Sequence, residues 1–209
     1  MNATRIYEGP TAIDLARGED WAWIGLGSGD GLNRLRMDLL DGLDRLFIQL
    51  RWSGVRRVAL SDGGWMAGVG RNFSAGADLH EVVELDGATA DAFARRGQRV
   101  MEHLLWRGWR SLTVISGAAM GGGCDLALSG QERWGVEGLK LAHPAAEHGI
   151  LTGFGGTVRL VEVLGTTGAN RLFQGLEQWD DLKALEAGAI QRRLQPEAVC
   201  GAVLSFLAN

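Results

Sequence analysis

The sequence is poor in the residues that mark several common protein classes. It has two cysteines in 209 residues, Cys124 and Cys200, which are too few and too far apart to predict a disulfide framework or a zinc site. It has no excess of basic residues, since 21 Lys and Arg against 25 Asp and Glu give a net charge of −4, and a nucleic-acid partner is therefore not expected. No apolar run approaches the roughly 20 residues of a membrane span, and the start "MNATRIYEGP" does not resemble a signal peptide. These absences predict a cytoplasmic protein that binds neither nucleic acid nor membrane.

Motifs for several kinds of site are missing as well. The four histidines, His80, His103, His143 and His148, never form a metal-binding pair with a third ligand nearby, so no metal site is predicted. The stretch "GLGSGDG" has Asp30 where a dinucleotide-binding loop needs its last glycine. Neither a phosphate-binding G-x-x-x-x-G-K-[ST] loop nor a G-x-S-x-G nucleophile elbow occurs.

The chain is instead rich in glycine and tryptophan, with 32 and 8 residues. Strand-like runs occur at 11–16, 21–26, 55–60, 111–116 and 138–142. Helical periodicity occurs at 32–52, 89–106, 123–128, 155–165 and 184–194. We expect Asp30 or Asn33 to cap the first helix. Strands that alternate with helices predict an α/β fold, and the absence of any linker predicts a single domain over residues 1–209.

Two glycine-containing stretches need a functional explanation. They are "NFSAGADLHEV" (72–82) and "ISGAAMGGGCDLALSG" (115–130), and in each a short apolar lead precedes glycine and then an acid. Glycine destabilises a helix by roughly 0.5–1 kcal/mol per residue relative to alanine, so three consecutive glycines need a reason. Bare backbone N–H groups at such a point bind anions, and two that converge form an oxyanion hole for a carbonyl oxygen that gains charge. Glycine leaves room for the substrate to approach.

These stretches, together with "LAHPAAEHGILTGFGGTVRL" and "ALEAGAIQRRL", resemble the crotonase (enoyl-CoA hydratase/isomerase) superfamily in order and spacing from about Pro10 to Leu194. The resemblance implies a crotonase-like spiral of ββα units that assembles as a homotrimer or hexamer. It also implies that the protein binds acyl thioesters of coenzyme A, or of a carrier protein, and stabilises an enolate. No separate cofactor is expected, because coenzyme A is part of the substrate.

The resemblance assigns roles to residues in the glycine stretches. The N–H groups of Ala77 and Gly122 are expected to form the oxyanion hole. The residues expected to contact the substrate are Ala75, Gly76, Asp78, Gly121, Gly123, Ala145 and His148.

The acids depart from the family pattern. Hydratases of the family carry one glutamate after the G-G-G-C element and another after the proline of "F-G-Q-P-E". This chain has the shorter Asp125 at the first position and Ala145 at the second. Asp125 is therefore either the catalytic acid/base or a structural carboxylate. Glu147, two residues past Ala145, is either the second catalytic carboxylate or a solvated loop acid beside His148.

The positions at which family members meet the phosphates of coenzyme A also differ. His80 and Asp30 stand where basic residues are common, which weakens capture of the 3′-phosphate unless Arg34, Arg36 or Arg71 replaces them. A pantetheine arm on a carrier protein has no such phosphate, so a carrier-bound substrate is an alternative.

The family normally adds helices beyond the point where this sequence ends, shortly after Pro196. The resemblance thus implies a shortened C-terminal helical part. The apolar surface left there would be covered by tryptophans such as Trp106, Trp109 and Trp179, or by a partner protein.

Three functions follow from the resemblance. The first is an enoyl-CoA hydratase or double-bond isomerase that uses Asp125, with Glu147 as a second carboxylate. The second is a decarboxylase or thioester hydrolase of the same fold, acting on CoA- or carrier-bound acyl groups. The third is a non-catalytic accessory subunit.

Overall fold

The computed structural model describes residues 3–67, 71–144, 150–174 and 177–209. Ala145, Glu147 and His148 lie outside these residues. The strands are β1 (Thr4–Tyr7), β2 (Thr11–Arg17), β3 (Trp21–Ser28), β4 (Arg57–Asp62), β5 (Arg110–Ile115), β6 (Ala118–Met120), β7 (Glu132–Val136), β8 (Lys140–Ala142), β9 (Trp179–Asp180) and β10 (Arg192–Leu194). The helices are α1 (Met37–Trp52), α2 (Leu79–Val82), α3 (Gly87–Leu104), α4 (Gly122–Ala127), α5 (Gly156–Phe173), α6 (Asp181–Glu186) and α7 (Val199–Ala208).

The larger sheet has the strand order β1-β2-β3-β4-β5-β7-β10. Strands β1 to β3 are antiparallel, and from β3 onward each strand is parallel to its neighbour. One face packs against α1 and α3 through side chains such as Ile24, Leu43 and Val100. The other face, which includes Trp23, is covered by Phe206 of α7 and its neighbours. The α/β prediction is confirmed.

The smaller sheet, β6-β8-β9, carries the site. Strand β5 leads into β6 and α4, and β7 leads into β8 and then α5, so each unit contributes one strand to each sheet before its helix. Isolated bridges between Leu35 and Ala77 and between Ser74 and Ala119 extend the smaller sheet toward α1 and α2. This repetition of two strands and a helix is the ββα organisation that the resemblance implies.

The first helix begins later than its periodicity predicts. It starts at Met37, and its N-cap residue Arg36 makes no capping hydrogen bond with its side chain. Asn33 is outside the helix at φ +47°, where its amide accepts from Ser28 N–H and donates to the carbonyl of Asn72. The prediction that Asn33 or Asp30 caps this helix is wrong, because tertiary contacts use the polar groups of Asn33 elsewhere.

The predicted helix over 184–194 is correct only for its first three residues, 184–186. Helix α6 ends at Glu186, and Gly188 has φ +74°, a conformation that ends helices. The chain then becomes strand β10, in which Arg192 pairs with Trp134 of β7. Sheet pairing, which is not local in sequence, overrides the helical periodicity.

The three tryptophans suggested as covers for an exposed surface are placed differently. Trp109 and Trp179 are buried in the main core, and Trp106 packs against Trp109 with a ring separation of 5.4 Å.

Among the described residues, none of the helices is long and apolar enough to cross a membrane.

Candidate active site

The two glycine stretches lie side by side at the smaller sheet. Ser74 N–H donates to the carbonyl of Ala118 at 3.1 Å, and Met120 N–H donates to the carbonyl of Ser74 at 2.9 Å. Gly76 follows with φ +90°, and a Cβ there would overlap the carbonyl oxygen of Met120. Only glycine fits this conformation and this approach, so the two stretches can meet only because residue 76 has no side chain.

The amide nitrogens of Ala77 and Gly122 lie close together as a result. A Cβ on Gly122 would be 3.6 Å from the nitrogen of Ala77. Neighbouring N–H groups are engaged: Gly121 donates to the carbonyl of Ala142 and Asp78 to that of Leu35. Within the described parts of the chain, the N–H groups of Ala77 and Gly122 have no acceptor. Two adjacent, unpaired donors of this kind can stabilise an oxyanion.

A cavity of about 310 Å³ opens at these two amides. Five of the predicted site residues are part of its wall: Ala75, Gly76, Ala77, Gly121 and Gly122. The rest of the wall is mostly apolar and comprises Leu79, Val82, Leu85, Ala90, Phe93, Ala94, Met120, His143, Pro144, Ile150, Leu151, Thr152, Gly153 and Phe154.

Two other predicted site residues, Asp78 and Gly123, contact the backbone around the cavity. The Asp78 carboxylate caps α2 by accepting from His80 N–H, and it pairs with the Arg36 guanidinium at 2.7 Å. Burial raises the pKa of Asp78, but the contacts with Arg36 and His80 N–H outweigh it and leave the pKa below its usual value. Gly123 lies against the carbonyl of Ser74, where a Cβ would overlap. Neither residue is part of the cavity wall.

Asp125 is fully buried at 0% exposure and lies behind the cavity wall. The hydroxyl of Thr152 donates to Asp125 Oδ2. Nε2 of His143 is 3.3 Å from Oδ1, but the angles are not those of a hydrogen bond, and within the described residues both atoms lack a hydrogen-bonding partner. Thr152 and His143, which both contact this carboxylate, are also part of the cavity wall.

The surroundings of Asp125 are strongly desolvated. Burial, and secondarily the charge of Asp125, raise the pKa of the neighbouring Cys124 thiol well above its usual value, so this thiol stays neutral. Burial lowers the pKa of Arg159, while Asp125 opposes that change. Arg159 is 8% exposed, and its guanidinium donates to the carbonyl of Phe154 at 3.2 Å.

Sequence reasoning missed His143 and Thr152 as site residues. His143 was considered only as a metal ligand, and Thr152 was not considered. The available signal was the position of His143 directly before Pro144, inside the stretch that resembles the second glutamate element of the family. Their proximity to Asp125 comes from the packing of β8 and α5 on α4.

Two of the three arginines suggested for phosphate binding are paired with carboxylates. Arg34 is 2.5 Å from Asp30, and Arg36 is 2.7 Å from Asp78. Hydrogen bonds from Ser28, Leu32 N–H and Arg34 lower the pKa of Asp30. Arg71 is exposed, and no ion pair of it occurs within the described residues.

The sequence and the fold match a known family. The family model described as "Enoyl-CoA hydratase/isomerase" matches residues 30–208. The chain therefore belongs to the enoyl-CoA hydratase/isomerase family, and the resemblance to the crotonase superfamily is confirmed.

Relatives and solved structures agree with this assignment. The chain is 36% identical over 147 residues to a probable enoyl-CoA hydratase of Bacillus subtilis, covering 70% of this chain and 55% of that protein. It is 29% identical over 166 residues to a short-chain-enoyl-CoA hydratase of Clostridium acetobutylicum, covering 79% of this chain and 62% of that protein. The chain thus spans less than two thirds of the length of these relatives.

A structure of DspI from Pseudomonas aeruginosa superposes with a TM-score of 0.85 at 29% identity, covering 94% of this chain and 73% of that chain. A Geobacillus kaustophilus enoyl-CoA hydratase structure has a TM-score of 0.86 at 20% identity, covering 98% of this chain and 75% of that chain. The second likeness concerns the fold alone. Together the two structures confirm the crotonase-like α/β fold.

Proposed function

We propose that the protein is an acyl-thioester enzyme, an enoyl-CoA hydratase or double-bond isomerase, that stabilises an enolate between the N–H groups of Ala77 and Gly122. The observation that carries this proposal is the pair of adjacent amides at the wall of an apolar cavity, for which the described part of the chain offers no acceptor. The family membership and the names of the relatives support it.

The arrangement suits a carbonyl oxygen that gains negative charge. When an α-proton leaves an acyl thioester, the charge moves to the thioester oxygen, and two fixed N–H dipoles stabilise it without reorganising. The apolar wall strengthens this interaction because it keeps water, and hence a high dielectric, away from the oxygen. Losing one such donor typically lowers kcat by about 10²–10³-fold.

The cavity wall supports an apolar acyl group as the substrate's reacting part. Leu79, Val82, Leu85 and Phe93 come from α2, the segment after it and α3, and they line the same cavity as the two amides and Phe154. An alkyl or ring-containing acyl chain would gain about 25 cal/mol for each Å² of apolar surface it buries there.

In our proposal Asp125 supports the proton transfer through its contacts with Thr152 and His143, which are both part of the cavity wall. It is fully buried within α4. Glu147, the second predicted acid, lies outside the described residues, and its role as second carboxylate stays a prediction.

A carrier-bound acyl group is a second candidate substrate. The ion pairs of Arg34 with Asp30 and of Arg36 with Asp78 favour this substrate. A guanidinium that is already paired with aspartate is a poorer partner for a phosphate. The reaction at the hole would be the same.

The experiment that tests the proposal uses octanoyl-CoA in deuterated water. Calorimetry measures binding, and mass spectrometry measures deuterium uptake at the α-carbon, which reports enolate formation whatever the later steps are. A second assay separates a hydratase from an isomerase. It monitors the addition of water to trans-2-octenoyl-CoA through the loss of the enoyl absorbance. We expect binding and α-exchange above the background rate. Absence of exchange with octanoyl-CoA and with octanoyl carried on a phosphopantetheine-loaded carrier protein would refute the proposal.

A further inference from the structure

We infer that His143 is the catalytic residue that takes up and returns the substrate proton, and that Asp125 is a positioning residue for its imidazole; this inference rests on the proposed function. The observations that carry it are the place of His143 in the cavity wall and its contact with a buried carboxylate, one oxygen of which has no hydrogen-bonding partner within the described residues.

The backbone places His143 next to the oxyanion hole. In the smaller sheet Met120 pairs with Ala142, and Gly121 N–H donates to the carbonyl of Ala142 at 3.0 Å. His143 follows Ala142 directly, just as Gly122 follows Gly121. Both His143 and Gly122 line the same cavity. A thioester with its oxygen at the hole thus has its reacting carbons near the wall that His143 forms.

One oxygen of the Asp125 carboxylate lies next to the imidazole of His143. Its Oδ2 is taken by the hydroxyl of Thr152, and its Oδ1 has no hydrogen-bonding partner among the described residues. Nε2 of His143 is 3.3 Å from that oxygen and also lacks a partner there. A buried carboxylate oxygen without a partner is unfavourable. A small rotation of the imidazole would give both atoms their missing hydrogen bond.

The imidazole is the only one of the three side chains suited to the proton transfer. Asp125 is fully buried and is not part of the wall, whereas His143, whose side chain is 2% exposed, is part of it. Thr152 is part of the wall, but a neutral hydroxyl that already donates to Asp125 is not a base. Imidazole titrates near neutral pH, and it can accept a proton at one nitrogen while the other donates to a carboxylate.

The charged groups around the pair are consistent with this role. From α4 the imidazole faces Asp125, which stabilises an imidazolium. From α5 comes Arg159, whose guanidinium interacts electrostatically with Asp125. On the other side the ring of Phe173 meets the imidazole edge to face, with 4.9 Å between ring centres. Cys124, behind Asp125, is neutral. Within the described residues, the imidazole thus lies between the Asp125 carboxylate and the Phe173 ring.

The proposed step balances without a further reactant. The neutral imidazole of His143 takes the α-proton, and the electron pair of the C–H bond moves to the thioester oxygen at the N–H groups of Ala77 and Gly122. The imidazolium is then paired with Asp125, which stays a carboxylate. Return of the proton to the α-carbon restores the substrate, and its return to the γ-carbon of an unsaturated chain shifts the double bond.

The test is α-proton exchange of octanoyl-CoA in deuterated water between pH 5.5 and 8.5. We compare the wild-type protein with His143→Gln and Asp125→Asn, and we measure octanoyl-CoA binding for each. The matched control is His103→Gln. It removes another buried histidine, which contacts Asp44 at 2.9 Å and is not part of the cavity wall.

We expect wild-type exchange to rise with pH in one titration and then level, because the base must be neutral. His143→Gln should lose about 10²–10⁴-fold in exchange rate and lose the titration while it still binds octanoyl-CoA. Asp125→Asn should exchange more slowly, and its titration should move to lower pH because the imidazolium loses its partner. His103→Gln should keep the rate and the profile per folded molecule.

Other results would separate the failure of this inference from that of the proposed function. Wild-type exchange that persists in His143→Gln, or an Asp125→Asn variant with an unchanged pH profile, overturns the role of His143 and leaves the oxyanion hole intact. Should His143→Gln not fold, the profile of Asp125→Asn decides the question. A wild-type protein that neither binds nor exchanges overturns the proposed function itself.

Discussion

Gly156 lies directly against the carboxylate of Asp125. Gly156 is the first residue of α5, and a Cβ there would overlap Oδ1 of Asp125 on α4. The missing side chain lets the two helices approach closely enough to bury the carboxylate, and it leaves Oδ1 accessible to His143. The glycine pair at 155–156 thus matters for the site as much as the triple glycine at 121–123.

The first prediction is that Gly156→Ala destabilises the fold. Alanine in a helix is otherwise more favourable than glycine by about 0.5–1 kcal/mol. At this position overpacking against Asp125 should reverse the sign and cost about 1–3 kcal/mol. Chemical denaturation measures the change, and Gly87→Ala is the control, since a Cβ there meets open space. A Gly156→Ala protein as stable as Gly87→Ala would contradict the close approach.

The second prediction concerns Gly122→Val. A Cβ on Gly122 would be 2.8 Å from the Phe154 ring and 3.6 Å from Ala77 N, so the branched side chain would fill the space in front of both amides. We expect a folded protein that no longer binds octanoyl-CoA or exchanges its α-proton. Calorimetry and circular dichroism check both parts, again with Gly87→Ala as control. Full exchange activity in folded Gly122→Val would remove the oxyanion-hole assignment.

The third prediction concerns the 3′-phosphate of coenzyme A. A phosphate held by a free arginine gains about 1.5–3 kcal/mol from charge-assisted hydrogen bonds, or one to two decades of affinity. Arg34 and Arg36 are already paired with aspartates. The dissociation constants of octanoyl-CoA and its 3′-dephospho form should therefore differ by no more than a few-fold at pH 8. Their dissociation constants at low and high salt test this.

A tenfold or larger preference for intact coenzyme A would argue against a carrier-bound substrate. The variant that identifies the source of such a preference is Arg71→Ala. If the preference disappears in that variant, Arg71 replaces the basic residues that the family has at the positions of Asp30 and His80.

The fourth prediction is a loss of stability below about pH 6.5, the ordinary pKa of histidine. Burial lowers the pKa of His103 in spite of its bond to Asp44. As the pH falls, His103 therefore binds a proton in the unfolded chain at a higher pH than in the folded chain. The free energy of unfolding falls with pH for this reason. Asp44 adds a loss at still lower pH, since contacts with His103, Arg99 and Arg96 outweigh burial and lower its pKa.

Urea unfolding between pH 5 and 8 measures this effect. A single proton limits the slope to about 1.4 kcal/mol per pH unit. His103→Gln should flatten the dependence between pH 5 and 7 relative to the wild-type protein. An equal slope in the variant would show that other groups cause the loss of stability.

The sequence by itself determined the parts of this protein that depend on local patterns. The strands around 21–26, 55–60 and 111–116 and the helix around 89–106 follow from periodicity, and the structure confirms them. The two glycine stretches indicated paired amides, because three consecutive glycines are unfavourable without a functional reason. The order of four stretches in the chain identified the family.

Tertiary structure alone decided which side chains meet. Helix periodicity extends through Leu35, but a bridge to Ala77 holds that residue outside α1, and strand pairing turns Arg192–Leu194 from helix to strand. The sequence indicated Asp125 as a candidate site residue, but it did not predict that this side chain is fully buried against Thr152 and His143. A side chain's partners depend on how β8 and α5 pack on α4, and that packing brings together residues far apart in the chain, which local patterns do not record.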